Sequence, residues 1–166
     1  MINIDSNQLQ KLYIAYFGRP GDPSGINYWL SCSNKLLTLR DISNELSKQE
    51  EYTKNIAHDR SFESQINQLY LNLFARKSDF DGLNYWIEMI NNHDYQISDI
   101  VYNLLYLNDK PYLIDPEQKN EDSNTLNNKI LAAEIFTQQI SRSMTLINLY
   151  QPDSISPWVS GTVLIR

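Results

Sequence analysis

Cysteine is almost absent: Cys32 is the one thiol in a chain of 166 residues. No internal disulfide can form, which excludes a small secreted domain framed by bridges. Gly and Pro are scarce, at 5 and 6 residues, so collagen-like and linker-like chains are excluded too. The two histidines, His58 and His93, have no carboxylate or cysteine partner at ligand spacing. Positive charge is in deficit. Lys and Arg number 14 against 20 Asp and Glu, which gives a net charge of −6. Such a chain lacks the electrostatic footprint of a nucleic-acid binder. No run approaches the roughly 18–20 apolar residues of a membrane span, so no transmembrane segment is expected. Residues 1–20 have no basic n-region, unbroken apolar run or small-residue cleavage site, and no cleaved leader is expected either. The motifs GxSxG, HExxH and GxxxxGK[ST] are missing, so no recognisable enzyme class, catalytic residue or cofactor is expected. What the chain does have is 42% hydrophobic residues, enough for a packed core.

The strongest positive signal is an internal repeat. Residues 9–30 (LQKLYIAYFGRPGDPSGINYWL) align without a gap to residues 66–87 (INQLYLNLFARKSDFDGLNYWI), with nine of 22 positions identical. The identities include Tyr13 with Tyr70, Arg19 with Arg76, Asp22 with Asp79, Gly25 with Gly82, Tyr28 with Tyr85 and Trp29 with Trp86. Two copies of one structural unit are expected, and a repeat of this kind must be read before anything else.

Each copy opens on an amphipathic helix. Leu9, Leu12, Tyr13, Tyr16 and Phe17 recur with helical period, as do Ile66, Leu69, Tyr70, Leu73 and Phe74. Asp5 or Ser6 is a suitable N-cap for the first. Gly18-Arg19-Pro20-Gly21 stops the helix, and Asp22-Pro23 starts the next with an N-cap and a Pro at the first helical position. A third helix follows in each copy, after the Thr38…Asp41 capping box and after Ser98-Asp99. A short helix near Glu50–Ala57 links the copies. Residues 115–124 read as a polar loop. A C-terminal helix is expected over 124–149, and 150–166 as an irregular tail in which Val159–Ile165 has strand character. The expected fold is all-α, with helical repeats over 5–58 and 62–114.

Several residues carry chemistry worth weighing. Asp79, Asp81, Gly82 and Glu88 resemble part of a calcium loop, but Lys77 stands where a first carboxylate ligand belongs. Asp22 and Asp79 are better read as helix caps, and no metal is expected. Arg19 and Arg76 either bind an anionic group or pair with an acidic side chain to lock the turn; the second is preferred because both copies share it. Trp29 and Trp86 lie on the apolar face of the second helix and are read as core. Tyr28 and Tyr85 lie off that face and are candidates for stacking on a sugar ring. Gly25 and Gly82 imply close approach of a neighbouring helix.

The pattern Leu-Tyr-x3-Phe-[Gly/Ala]-Arg-x2-Asp-x2-Gly-x-Asn-Tyr-Trp resembles the bacterial domain of unknown function 4214, over about residues 8–58 and again 65–113. Asn128-Lys129-Ile130, with Ala132, Ala133 and Phe136, is similar to a helix that often follows the repeats in that family. The resemblance implies a non-catalytic module of surface-layer, adhesin or RTX-type secreted proteins, exported without an N-terminal signal. Its partners would be a cell-surface glycan, lipopolysaccharide or another protein. Phycobilisome linker domains are more distantly similar, and imply instead a cytoplasmic protein–protein adaptor. The family has no assigned catalytic residues.

Overall fold

The computed structural model describes residues 4–33, 37–55, 57–58, 61–106, 115–143 and 145–146. Among these the protein is all-α, with eight helices. They are α1 (Ser6–Phe17), α2 (Pro23–Ser33), α3 (Leu39–Leu46), α4 (Glu50–Asn55), α5 (Phe62–Phe74), α6 (Phe80–His93), α7 (Ile97–Tyr106) and α8 (Pro116–Ser141).

The helix ends follow their local chemistry. Asp5 caps α1 in a reciprocal box with Gln8, and Thr38 caps α3 in the same way with Asp41. Gly18 ends α1 in the left-handed conformation at φ 62°, sending its N–H back to the Ile14 carbonyl. In the second copy Ala75 holds that conformation at φ 58°, where a Cβ costs about 1 kcal/mol relative to glycine. The Asn72 amide donates to the Ala15 carbonyl at 2.9 Å, so the end of α5 braces the end of α1.

The helices α1, α2 and α3 of the first copy correspond in order to α5, α6 and α7 of the second. The copies are not separate bodies. The equivalent helices α1 and α5 pack together, as do α3 and α7. Such pairing of like with like suits a two-fold-like arrangement. One hydrophobic cluster runs from Ile4 through Ile42, Ile66 and Ile100 to Ile130. Its centre is α1, which touches α2, α3, α4, α5, α7 and α8. Residues Leu12–Phe17 are consequently buried without a break, including faces that an amphipathic surface helix would expose.

Three sequence expectations need correction. Residues 115–124 are not a loop: Asp115 caps α8 with Pro116 in its first turn, and the helix runs through all of them. The C-terminal helix spans Pro116–Ser141 rather than 124–149. Its first turns carry no apolar stripe because their main contact with the core is polar, through the buried Asp122. In addition α7 begins at Ile97, so Ser98 and Asp99 lie inside it, and the Asp99 carboxylate accepts from the Gln96 N–H. The tail 150–166 and the end of the second repeat, 107–114, lie outside the described residues.

The helix α8 joins the copies. The Lys129 ammonium donates to the Leu71 and Asn72 carbonyls at 3.2 and 2.6 Å, closing the C-terminus of α5. Two turns on, Thr137 reaches the turn after α1.

Candidate binding cleft

Both copies tie the same knot where the first helix gives way to the second. Asp22 Oδ2 accepts the Gly25 N–H at 2.8 Å, and Asp79 Oδ1 accepts the Gly82 N–H at 2.7 Å. A cap of this kind contributes about 1 kcal/mol. The arginine three residues upstream faces the same carboxylate, at 3.7 Å for Arg19–Asp22 and 4.0 Å for Arg76–Asp79. Each guanidinium lies over the tyrosine of the first helix, 5.5 Å from the Tyr13 ring and 5.4 Å from the Tyr70 ring. The Trp86 indole N–H donates to the Tyr70 hydroxyl at 3.0 Å. Burial pushes both phenols above the ordinary tyrosine range, so they remain neutral donors and acceptors.

The acid that completes the knot differs. Arg19 makes a bidentate pair with Glu51 of α4, both bonds 2.7 Å, and a third bond to the Pro20 carbonyl. Arg76 makes a bidentate pair with Asp122 of α8, at 2.8 and 2.6 Å, and a third bond to the Lys77 carbonyl. Hydrogen bonding to Asp122 raises the Arg76 pKa further above its already high ordinary value. Glu51 and Asp122 were invisible to the repeat, because they do not occupy equivalent positions in the two copies.

A second brace was also missed. The fully buried Gln10 accepts the Gly21 N–H at 2.8 Å and donates to the Thr137 hydroxyl at 2.8 Å, which in turn donates to the Gly21 carbonyl at 2.6 Å. Its counterpart Asn67 accepts the Ser78 N–H at 3.2 Å. The signal was available: a polar residue inside the apolar stripe at the same place in both copies.

Beside the first knot lies a cleft of about 440 Å³. Its buried lining includes Tyr13, Trp29 and Arg19; its exposed lining includes Tyr28, Ser24 and Gln49. Tyr28 is 59% exposed and its ring meets Trp29 edge-on, with centroids 5.0 Å apart. The Cys32 thiol, one turn on, raises the phenol pKa. Tyr85 makes the matching edge contact with Trp86 at 4.8 Å but is half-buried. The sequence candidates therefore divide. Tyr28 is presented to solvent, whereas Arg19 and Arg76 are engaged by carboxylates, and Trp29 and Trp86 are buried.

The two glycines also differ. A Cβ on Gly25 would stand 2.2 Å from the Tyr13 hydroxyl, so α1 does approach too closely for a side chain there. At Gly82 the nearest atom is only the cap, Asp79 Oδ1, at 3.1 Å.

The calcium-like residues do not converge. Asp81 and Glu88 both lie within α6, where seven residues separate them by about 10 Å along the axis. Among the described residues no group of three or more His, Cys, Asp or Glu is placed to hold a metal, and no helix is long and apolar enough to cross a membrane.

Compared with known proteins, residues 43–106 match the family model described as a domain of unknown function, DUF4214. That stretch runs from the middle of α3 to the end of α7 and contains the whole second knot except Asp122. No curated protein and no solved structure matches the chain.

Proposed function

We propose, from a chain whose residues 43–106 belong to DUF4214, that the protein is a non-catalytic binding module of a bacterial cell-surface or secreted protein. It holds an uncharged glycan chain in the cleft beside α2. The observation that carries this reading is the chemistry of that cleft. Arg19 is spent on Glu51 and faces Asp22, so the three charges sum to one negative. An anionic phosphate or sugar acid is repelled, while a hydroxyl-rich ring finds acceptors on both carboxylates and an amide on Gln49. The exposed Tyr28 ring offers a platform for the apolar face of a sugar. Lipopolysaccharide is bound, on this reading, through its polysaccharide and not its phosphates. Family resemblance supports the location outside the cell and export without an N-terminal signal.

The test is binding to delipidated envelope polysaccharide from the producing cell, followed by titration calorimetry. Tyr28→Ala is expected to weaken binding at least about tenfold, the loss of roughly 1.4 kcal/mol, with no change in melting temperature. Absence of binding, together with a protein confined to the cytoplasm, overturns the reading. It would favour the adaptor reading instead, which rests on Leu131 and Ile135, exposed one turn apart on α8.

A further inference from the structure

We infer that the second copy carries a second glycan subsite, centred on Phe80, and that the chain therefore grips a repeating polysaccharide at two points. This rests on the glycan reading of the first cleft. Phe80 is 76% exposed, more than any other large apolar side chain among the described residues. The helix does not require it. Phe80 occupies the first position of α6, where the first copy has the buried Pro23, a residue suited to that position. A phenyl ring held in water at a rigid helix start is a stacking platform of the kind that Tyr28 supplies in the first copy.

The chain neighbours of Phe80 supply acceptors of the kind that Asp22 and Glu51 supply in the first cleft. Asp79 and Asp81, the chain neighbours of Phe80, are both exposed. Asp79 Oδ1 takes the Gly82 N–H, and Oδ2 faces Arg76 at the long distance of 4.0 Å, which leaves lone pairs open to solvent. The Arg76 charge is committed to Asp122, and the Gln118 amide joins the same network through Asp122 at 3.1 Å. Asp79, Asp81 and Asp122 against Arg76 and the exposed Lys77 leave one net negative charge, as in the first cleft. Acceptors therefore flank the aromatic ring in the chain, and the net charge disfavours anions. The ligand class is again an uncharged, hydroxyl-rich ring. Asp81 in place of Ser24 adds one more acceptor.

Two sites on one chain convert the second contact with a polymer into an intramolecular event, which raises avidity by about 10²–10⁴ over a single contact. The experiment compares single-repeat fragments with intact delipidated polysaccharide from the producing cell's envelope. Wild type is expected to bind two fragments per chain and to prefer the intact polymer at least about 100-fold. Phe80→Ala and Tyr28→Ala should each leave one fragment site and reduce the polymer preference to a few-fold. Both residues are at the surface, and an unchanged melting temperature confirms that the fold is intact. One fragment site, lost in Tyr28→Ala and untouched in Phe80→Ala, overturns the second subsite and leaves the first reading standing. No fragment or polymer binding overturns both.

Discussion

The two knots use the same residues to different depths. In the first, Arg19 is 4% exposed and its acid, Glu51, comes from the short helix that ends its own copy. In the second, Arg76 is 21% exposed and its acid, Asp122, comes from α8, 46 residues further along the chain. In the second copy the start of α8 supplies the carboxylate. The remainder of α8 then crosses to the first copy and braces Gly21 through Thr137. The comparison shows what the repeat conserves physically: an arginine that must be neutralised where it stacks on a tyrosine, whichever segment provides the acid.

The largest test of that difference removes the arginines. Arg19→Ala leaves Glu51 without its bidentate partner in a mostly buried setting, and strips the cover from Tyr13 and Phe17. Breaking a buried pair from one side costs about 3–5 kcal/mol. Arg76→Ala orphans an acid that is more buried than Glu51, Asp122 at 9% against 20% exposed, but Arg76 is itself 21% exposed, so water can take its place beside the carboxylate and should hold the loss to about 1–2 kcal/mol. Urea denaturation of both variants measures the gap. Equal losses would show that burial does not distinguish the knots. Rescue of Arg19→Ala by Glu51→Gln and of Arg76→Ala by Asp122→Asn, larger where the single loss is larger, would show that the orphaned charge carries the cost.

The sequence shows one half of each knot and hides the other for a definite reason. Arg19, Asp22, Gly25 and Trp29 recur at a fixed offset because they belong to one continuous turn and helix. Glu51 and Asp122 arrive from elsewhere, and tertiary placement leaves no mark on spacing. The all-α fold was legible from the helical period of the apolar residues. The start of α8 was lost through reliance on that period. Its Asp115-Pro116 start signal is the same one that was read correctly at Asp22-Pro23, but the residues after it are polar. The burial of α1 on all sides was legible only in part. Ile14 and Ala15 had no assigned face, and Gln10 marked the brace without naming its partner.

A smaller effect separates the glycines. Gly25→Ala forces a Cβ against the Tyr13 hydroxyl, whose ring is held in the core against Phe17 and the Arg19 guanidinium. Overpacking of this type costs about 1–3 kcal/mol. Gly82→Ala meets only the cap carboxylate. There the helix-propensity gain of alanine offsets the contact, and the change should stay within about 0.5 kcal/mol. Thermal melting of the two variants decides it, and a Gly82→Ala loss as large as that of Gly25→Ala would mean that α5 approaches α6 as closely as α1 approaches α2.

The smallest expected difference lies at the starts of the third helices and is read by pH. In α3 the Asp41 carboxylate accepts both the backbone N–H and the hydroxyl of Thr38, at 2.8 and 2.6 Å. These bonds hold its pKa below the ordinary 3.8. A depressed folded-state pKa stabilises the fold above the unfolded value, and that contribution is lost as pH falls through the folded value. The group is almost fully solvated, so the effect should not exceed about 0.5 kcal/mol. Asp41→Asn is expected to be slightly less stable than the parent at pH 7 and to converge on it as pH falls through the lowered Asp41 pKa. In α7 the equivalent Asp99 accepts the Gln96 N–H at 3.0 Å and also pairs with Arg40 of α3 at 2.5 Å. Asp99→Asn therefore removes a cap and a link between the copies, and should cost more at pH 7 than Asp41→Asn. High salt should narrow that difference, because the Arg40 link is exposed and screened while the caps are short-range. A difference indifferent to salt would mean that the link between α3 and α7 is carried by their apolar contact alone.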